Sequence, residues 1–456
     1  MAPPSLPRLP TILLLFLSIL SIQATDNDWD DSSHWSSCTC PPPRPDHLPS
    51  AKVAYLISVH NKRTLTDAAY LVKALIETSY QGDVAAILLH VDTRVGIGDD
   101  NNDYLHSALK TYVDAVHSEC HPPNNVILEL HSHFAPEWSK WSMNDPTLWG
   151  MDYLLHHSKL QQNWDVFINC SGDTLPVIPS HRISELFSSQ GGPLGNTNFV
   201  TSSSCVTGLH PTSIYHFPEH WMKRAHYVQH MIPPTLTYQE DGEWFHDAPI
   251  TIHFGSQWMA LTHDFVEYII RSMKHPNGLG NVLMEKLIET EVLMTDETFF
   301  ATMLMNSAFH TTLPQVDDDN GAIRGLSTMK HLRYERMDEN HPNAWGEYPS
   351  MDSLYDIPPK FGDVTDGEKG AKPWGPYFLG VYDLGAIKDS GALFVRKVSR
   401  TVDENLVRLL PVDGDGDRSE WQILPDIRWP RLGVDIREPF VWSAAKRKKL
   451  TNEETT

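Results

Sequence analysis

Apolar runs of strand length recur along the first half of the chain. Residues 53–59, 84–91, 126–130 and 166–169 are almost wholly apolar. Strands with this composition are typically buried on both faces, as in parallel sheets covered by helices. We therefore predict four buried strands at these positions.

Stretches with helical spacing separate these runs. After the first run, apolar residues recur at 65, 68, 72, 75 and 76, and Thr64-Leu65-Thr66-Asp67 has the form of a helix start. Gly82 is predicted to end this helix, and a further helix is predicted over 146–159. Strands that alternate with helices predict an α/β fold: a doubly wound, Rossmann-like, mostly parallel sheet with flanking helices.

The predicted strands end in polar residues. The segments are Ser58-Val59-His60-Asn61, His90-Val91-Asp92 and Asn169-Cys170-Ser171-Gly172-Asp173. Ligands of such sheets bind beyond the carboxyl ends of the strands, so these segments predict a nucleotide crevice. The sequence has no Gly-x-Gly-x-x-Gly after the first strand, no Walker lysine loop and no Gly-x-Ser-x-Gly elbow. The sequence therefore does not favour a dinucleotide-binding enzyme, a P-loop enzyme or an α/β-hydrolase.

Composition and charge are those of a folded, acidic protein. The 456 residues are 41% hydrophobic and 21% charged, with a net charge of -22. Nucleic-acid binding relies on clustered Lys and Arg, so no nucleic-acid partner is expected.

The N-terminus predicts entry into the secretory pathway. Arg8 precedes an apolar run over 12–22 that leads to Ala24. The run is shorter than the roughly 20 residues of a bilayer span, which favours a cleaved signal over 1–24. A signal-anchor that holds the chain to the ER or Golgi membrane is the alternative. The five cysteines fit this compartment, and their odd number predicts at least one free or intermolecular thiol.

The remaining organisation follows from composition. Residues 25–50 mix Asp, Ser and Pro and are predicted to be a stem or linker. A catalytic domain is predicted over 51–400, followed by a C-terminal extension over 401–456.

A series of short segments, in this order, resembles one known family. They are Ala54–His60, His90–Arg94, Trp164–Asn169 with Gly172 and Pro176, Gly255–Trp258, Phe265–Tyr268, Thr295–Glu297, Leu332–Tyr334 and Leu393–Lys397. Together they resemble the core 2/I-branching β1,6-N-acetylglucosaminyltransferases and peptide O-xylosyltransferases (glycosyltransferase family 14). The resemblance implies a GT-A-like fold and inverting sugar transfer from a UDP-sugar to a protein or oligosaccharide acceptor.

The resemblance also implies roles for individual residues. Glu297 matches the catalytic base, and Arg333 and Lys397 match the cations that hold the donor's diphosphate. From the residues alone, Thr295 would instead be a helix N-cap, with Asp296 and Glu297 at the positive end of that helix.

The remaining candidate residues surround the nucleotide and the sugar. The resemblance, position for position, places Ser58, Val59 and Asp92 around uracil and ribose, with a capped strand end as the alternative interpretation of these residues. Trp138 and Trp141 are candidates to stack on the nucleotide or on a sugar face, with core packing as the alternative. The acceptor and sugar pocket is assigned to Gly172, Asp173, Gly255, Ser256, Trp258 and Asp296.

No metal or other cofactor is expected. Asp317-Asp318-Asp319 and the segment 413–417 are the acidic candidates, and both are interpreted as solvated turns. The second departs from a calcium loop because Arg418 and Leu424 stand where Gly and Glu are required.

The donor sugar is left open among three choices. The segments Gly255–Trp258, Phe265–Tyr268 and Phe394–Lys397 are nearer the xylosyltransferase branch, so xylose is favoured over N-acetylglucosamine and glucuronic acid. An inactive glycan-binding protein is the alternative outside the enzymes.

Overall fold

A computed structural model describes most of the central part of the chain. The described residues are 40–95, 110–119 without 113 and 117, 126–160, 163–200, 203–204, 231–315, parts of 323–335, and 376–411 without 377 and 401.

A five-stranded sheet forms the centre of the fold. Its strands are β1 Val53–Val59, β2 Val84–Val91, β3 Ile127–His131, β4 Val166–Ser171 and β10 Ala260–Thr262. Their order is β10-β4-β1-β2-β3, with β1, β2, β3 and β4 parallel and β10 antiparallel at one edge. The doubly wound α/β fold predicted from the sequence is confirmed, and all four predicted strands are present.

Both faces of β1 are buried. Successive side chains point to opposite sides of the sheet, and each side is covered by other elements. Leu56 joins a core with Phe167 and with Met151 and Leu154 of a helix over Asp145–His156. On the other face, Tyr55 contacts Phe394 edge to face, with their ring centroids 6.5 Å apart. The continuous apolar runs therefore reflect a sheet covered on both sides.

The helices and minor strands complete the unit. The helices are α1 Lys62–Glu77, α2 Asp145–His156, α3 Ser180–Leu186, α4 His263–Lys274, α5 Leu279–Glu289, α6 Phe299–Met305, α7 Leu384–Asp389 and α8 Glu404–Leu409. A second sheet, in the order β11-β12-β5, joins Arg333–Glu335, Phe394–Arg396 and Thr174–Pro176. The two-stranded pairs are β6 (Ser203–Ser204) with β9 (His253–Phe254), and β7 (Thr235–Glu240) with β8 (Glu243–Pro249).

The predicted start of α1 at Thr64 is wrong by a few residues. Asn61 is the N-cap: its Oδ1 accepts a hydrogen bond from the Thr64 backbone N–H at 2.8 Å. Thr64 Oγ1 accepts one in return from the Asn61 N–H at 3.0 Å, which completes a capping box. Asn is among the preferred N-cap residues, so it takes the cap three positions earlier. The helix ends at Glu77, and Gly82 lies in the following turn with φ +91°.

The compact unit reaches Pro411. Ser399 Oγ donates to Asp67 Oδ1 at 3.1 Å, and Arg400 donates to the Tyr70 hydroxyl at 2.7 Å. Residues 399 and 400 are thus connected to α1. Residues 412–456 lie outside the described part of the chain.

Two cysteines are described, and they are in different states. Cys170 is a buried free thiol on β4, and Cys40 is disulfide-bonded. Burial raises the pKa of the Cys170 thiol to about 12, although the Arg333 charge opposes this, so the thiol stays protonated at neutral pH. In the described part of the chain, no helix has the length and apolar character that a bilayer span requires. The apolar run over 12–22 lies outside that part.

Gly172, which the sequence assigns to the sugar pocket, is required by packing. A Cβ at this position would lie 2.2 Å from the Thr64 carbonyl oxygen in the first turn of α1. Backbone cannot give way as a flexible side chain can, so any larger residue must move β4 or α1.

We therefore expect Gly172→Ala to lower the free energy of unfolding by about 1–3 kcal/mol, the usual cost of overpacking. The matched control is Gly385→Ala in α7, where an added Cβ meets nothing within 4 Å. Urea denaturation of both variants measures the difference. Equal stability of the two variants would contradict the packing explanation.

Candidate active site

The strands β1, β2 and β4 are parallel neighbours, so their carboxyl ends lie side by side at the same end of the sheet. The Gly172 N–H donates to the Ser58 carbonyl at 2.9 Å, and the Asp92 N–H donates to the Val59 carbonyl at 2.8 Å. The structure thus brings together four predicted site residues, Ser58, Val59, Asp92 and Gly172. This edge is where ligands of doubly wound sheets bind.

Arg94 holds the carboxylate of Asp92. The Arg94 backbone N–H and Nε donate to Asp92 Oδ1 at 2.8 and 3.0 Å, and Nη2 donates to Oδ2 at 2.5 Å. Arg94 Nη2 also donates to the Pro136 carbonyl. Both carboxylate oxygens of Asp92 therefore accept hydrogen bonds from Arg94, a residue for which the sequence predicted no role.

His90 fixes the loop that follows β3. Its Nε2 accepts hydrogen bonds from the N–H groups of His133 and Phe134 at 3.4 and 3.2 Å. Burial lowers the pKa of His90 to about 4, and the nearby His133 adds to this effect while Asp92 opposes it. The imidazole is therefore neutral at pH 7 and able to accept these bonds. The loop leads directly to Trp138.

Glu297 lies in a 3₁₀ turn, Thr295–Glu297, immediately before α6. Its N–H donates to the Met294 carbonyl at 3.2 Å, and its own carbonyl accepts from the Gly255 N–H at 2.7 Å. The Met294 N–H donates to the Ser139 carbonyl at 2.9 Å. The predicted base is thus joined through backbone bonds to Gly255 and to the residue after Trp138.

Two residues beside this turn have left-handed backbone conformations. Ser139 has φ 65° and Met294 has φ 60°, and the two are hydrogen-bonded to each other. Non-glycine residues in this region cost free energy and cluster at functional sites. This is an independent reason to regard the Glu297 turn as part of a site.

The N-cap role that the residues alone suggested for Thr295 is wrong. Thr295 Oγ1 accepts a hydrogen bond from Asn144 Nδ2 at 3.0 Å, and Thr298 is the residue at the start of α6. Thr295 instead connects the turn to the segment before α2.

Asp296 is buried beside Glu297, with an exposed fraction of 7%. Burial raises the pKa of its carboxyl to about 6, although hydrogen bonds from the backbone N–H groups of Asp296 and Glu297 lower it in part. Its protonation therefore changes close to neutral pH, unlike that of an ordinary surface carboxyl.

Arg333 is buried at the start of β11 and contacts two other predicted site residues. Its Nη2 donates to Ser256 Oγ at 3.1 Å, and its guanidinium carbon lies 5.2 Å from the centroid of the Trp258 ring. The exposed fraction of Arg333 is 7%. An arginine this buried requires specific partners, which distinguishes it from ordinary surface charge.

Two neighbours of Arg333, namely Arg396 and Glu335, were not identified from the sequence as site residues. Arg396 also contacts Trp258, with its guanidinium carbon 5.0 Å from the ring centroid, and it donates to Asp173 Oδ1 at 3.1 Å. Glu335 Oε1 accepts from both arginines. Asp173, assigned to the sugar pocket, is fully buried here as an ion partner of Arg396.

Lys397, the second predicted diphosphate cation, is half-buried and directly follows β12. Its ammonium lies 5.5 Å from the centroid of the Phe378 ring. Its carbonyl accepts from the Leu379 N–H at 2.9 Å, and the next N–H, of Val398, donates to the Asp173 carbonyl at 2.9 Å. Lys397 is therefore close in sequence and in backbone contacts to the Arg396 and Asp173 pair.

The two candidate tryptophans differ in environment. Trp141 packs edge to face on Phe299, with centroids 5.2 Å apart, and belongs to the border of the core. Trp138 is 44% exposed at the surface next to the Glu297 turn. Of the two, only Trp138 has the exposure that stacking on a ligand requires.

The acidic segments considered as metal ligands, 317–319 and 413–417, lie outside the described residues. Among the residues that are described, no group of three or more His, Cys, Asp or Glu side chains is arranged to hold a metal ion.

Comparison with known proteins shows similarity to one family over part of the chain. Residues 102–317 match the family model described as "Branch: Core-2/I-Branching enzyme". The match includes Trp138, Asp296 and Glu297, whereas Arg333 and Lys397 lie beyond it. "Xylosyltransferase oxt" of Drosophila pseudoobscura pseudoobscura is 25% identical over 256 residues, which are 56% of this chain and 24% of that protein.

Solved structures with weaker likeness are glycosyltransferases. A mannosyltransferase from Pyrobaculum calidifontis, in complex with GDP-mannose and Mn2+, is 12% identical over 61% of this chain and 63% of that one, with a TM-score of 0.24. Mouse xyloside xylosyltransferase 1 in its apo form is 10% identical over 56% of this chain and 81% of that one, with a TM-score of 0.28.

The family match and the relative agree with the segments by which the sequence itself resembles this group. Over residues 102–317 the chain therefore resembles the Core-2/I-Branching enzymes, and the relative that it matches is a xylosyltransferase.

Proposed function

We propose that this protein is an inverting glycosyltransferase that moves a sugar, with xylose favoured, from a UDP-sugar to a hydroxyl of a protein or glycan acceptor. One observation carries the proposal. Two adjacent residues connect the predicted base to the predicted diphosphate cation: Gly255 donates to the Glu297 carbonyl, and Ser256 accepts from Arg333.

Each group has a defined task in a single displacement. The acceptor oxygen attacks the anomeric carbon while its proton passes to the Glu297 carboxylate. The bond from that carbon to the diphosphate breaks, and its electron pair leaves with UDP. Arg333 and Lys397 stabilise the negative charge that grows on the departing oxygen. Because attack and departure occur on opposite faces, the configuration at the anomeric carbon inverts.

We propose that these cations replace a divalent metal in stabilising the leaving group. Arg333 can present paired N–H donors to phosphate oxygens, and Lys397 adds a compact charge. A binding protein without activity would need neither a base nor leaving-group cations. The presence of all three residues therefore favours an enzyme over a glycan-binding protein.

Xylose is favoured because the relative named above is a xylosyltransferase, and because the segments Gly255–Trp258 and Phe394–Lys397 resemble that branch. N-acetylglucosamine is the second candidate donor, since the matching family model is named for the branching enzymes.

One test of this function concerns the donor and the metal together. Purified protein, incubated with a panel of UDP-sugars and acceptors in excess EDTA, is expected to transfer xylose most efficiently. Mass spectrometry of the products identifies the sugar. Activity that is lost in EDTA and restored by manganese would refute the metal-free mechanism. Transfer of N-acetylglucosamine would refute only the choice of donor.

Another test of this function concerns the base. Glu297→Gln keeps the size of the side chain but removes its ability to accept the proton, so kcat should fall by about 10²–10⁴. UDP affinity, measured by calorimetry, should stay close to that of wild type because Glu297 does not bind the nucleotide in this mechanism. The control is Glu289→Gln, an exposed glutamate of α5 that pairs with Lys286. A variant of Glu297 with nearly full turnover would remove this residue from the mechanism.

We further propose that the protein enters the secretory pathway and acts in the ER or Golgi lumen. The apolar run over 12–22 and the disulfide at Cys40 support this location. N-terminal sequencing of the protein from a eukaryotic host tests it: a chain that begins near Thr25 indicates a cleaved signal, and a membrane-bound intact chain indicates an anchor. A cytosolic chain that retains Met1 would overturn the proposal.

A further inference from the structure

A chain of five side chains runs from the end of β4 to the loop after β9. Asp173 binds Arg396, Arg396 binds Glu335, Glu335 binds Arg333, and Arg333 binds Ser256. The donor–acceptor distances are 3.1, 3.2, 3.0 and 3.1 Å in that order. Glu335 is the middle member, and a single oxygen, Oε1, accepts from both arginines.

The strands place these side chains side by side. Glu335 and Arg396 are register partners in the parallel pair of β11 and β12. Arg333 and Glu335 are two residues apart on β11, so they project from the same face of the strand. The contacts therefore follow from the β11–β12 register.

Both guanidinium groups pack against the same indole ring, at 5.2 and 5.0 Å from the Trp258 centroid. The side chains of Arg333 and Arg396 are only 7% and 13% exposed. Two like charges this close and this shielded from water repel each other unless an anion compensates them. Glu335 is the residue placed to do so for both.

Glu335 is held in its ionised form. Burial alone raises the pKa of its carboxyl, but the charges of Arg333 and Arg396 and their hydrogen bonds lower the pKa by more. It therefore carries its negative charge at neutral pH and keeps both arginines in place.

We propose that Glu335 is a positioning residue that orients Arg333 for the diphosphate of the nucleotide-sugar. This inference rests on the proposed function, because it assumes that Arg333 meets the diphosphate. Glu335 holds Nε while Ser256 holds Nη2, so the plane of the guanidinium is fixed before the donor binds. Such preorganisation avoids the cost of ordering a long side chain on binding.

The structure offers a matched control. Glu404 also accepts from two arginines through one oxygen: Arg400 Nη2 donates to Oε1 at 3.0 Å and Arg408 Nη2 donates at 2.6 Å. Its side chain is 40% exposed, against 20% for Glu335, and it lies in α8. Glu404→Gln therefore breaks a similar bridge without touching the candidate site.

The experiment compares Glu335→Gln, Glu335→Asp and Glu404→Gln in the full chain. Calorimetric titration with UDP gives Kd, and initial rates give kcat and KM for donor and acceptor separately. Glu335→Gln should weaken UDP binding about tenfold, equivalent to about 1.4 kcal/mol, and raise the donor KM by a similar factor. The acceptor KM should change less than about twofold. Glu335→Asp keeps the charge and should recover part of the loss, and Glu404→Gln should match wild type.

A double-mutant cycle tests whether Glu335 acts through Arg333. In an Arg333→Ala background, Glu335→Gln should cause little further loss of UDP affinity, since the group that it positions is already gone. Fully additive losses would overturn the inference. So would unchanged UDP affinity accompanied by a lower Tm, because that is the result of a purely structural role.

One opposite result is equally decisive. Tighter UDP binding by Glu335→Gln would mean that Glu335 competes with the diphosphate for Arg333, and the positioning role would be wrong. If wild-type protein binds no UDP, the proposed function fails and this inference fails with it. Wild-type binding with no effect of Glu335→Gln overturns the inference alone.

Discussion

The burial of β1 on both faces is the constraint on which the rest of the structure depends. Its residues are covered by α2 and the core on one side and by α1 and the second sheet on the other. A strand covered in this way can expose polar groups only at its ends. The polar residues that follow β1, β2 and β4 therefore meet at one edge, and every predicted donor contact before residue 100 lies there.

The close approach of α1 to the end of β4 shows how tightly this edge is built. Gly172 lies against the Thr64 carbonyl, and its N–H bonds to Ser58. The glycine thus has a packing reason to lack a side chain, independent of any ligand. A glycine next to a candidate pocket is often assigned to substrate binding. Here the close backbone contact between two core elements explains why this residue is glycine.

The sequence predicted the strands well because their pattern is local: a buried parallel strand is a continuous apolar run. It predicted the start of α1 less well, since Asn61 and Thr64 are both acceptable capping residues and only the backbone geometry chooses between them. It identified Arg333 through resemblance, but not Glu335. The partnership of Glu335 with Arg396 depends on the register of two strands that are about sixty residues apart, and no local pattern records it.

Under the proposed mechanism, the residues around Trp258 divide the task of binding a diphosphate between two kinds of side chain. Arg333 and Arg396 are balanced by Glu335 and Asp173, so these four side chains contribute no net charge. This neutral group would orient an incoming diphosphate, because its N–H donors are held in fixed positions by their carboxylate partners. Net attraction must come from a further cation, and Lys397 directly follows Arg396 in the chain. On this view the arginines orient the diphosphate, because a planar guanidinium presents N–H donors in fixed directions. The lysine supplies the net positive charge. Under the proposed mechanism, neither type of residue would replace the other.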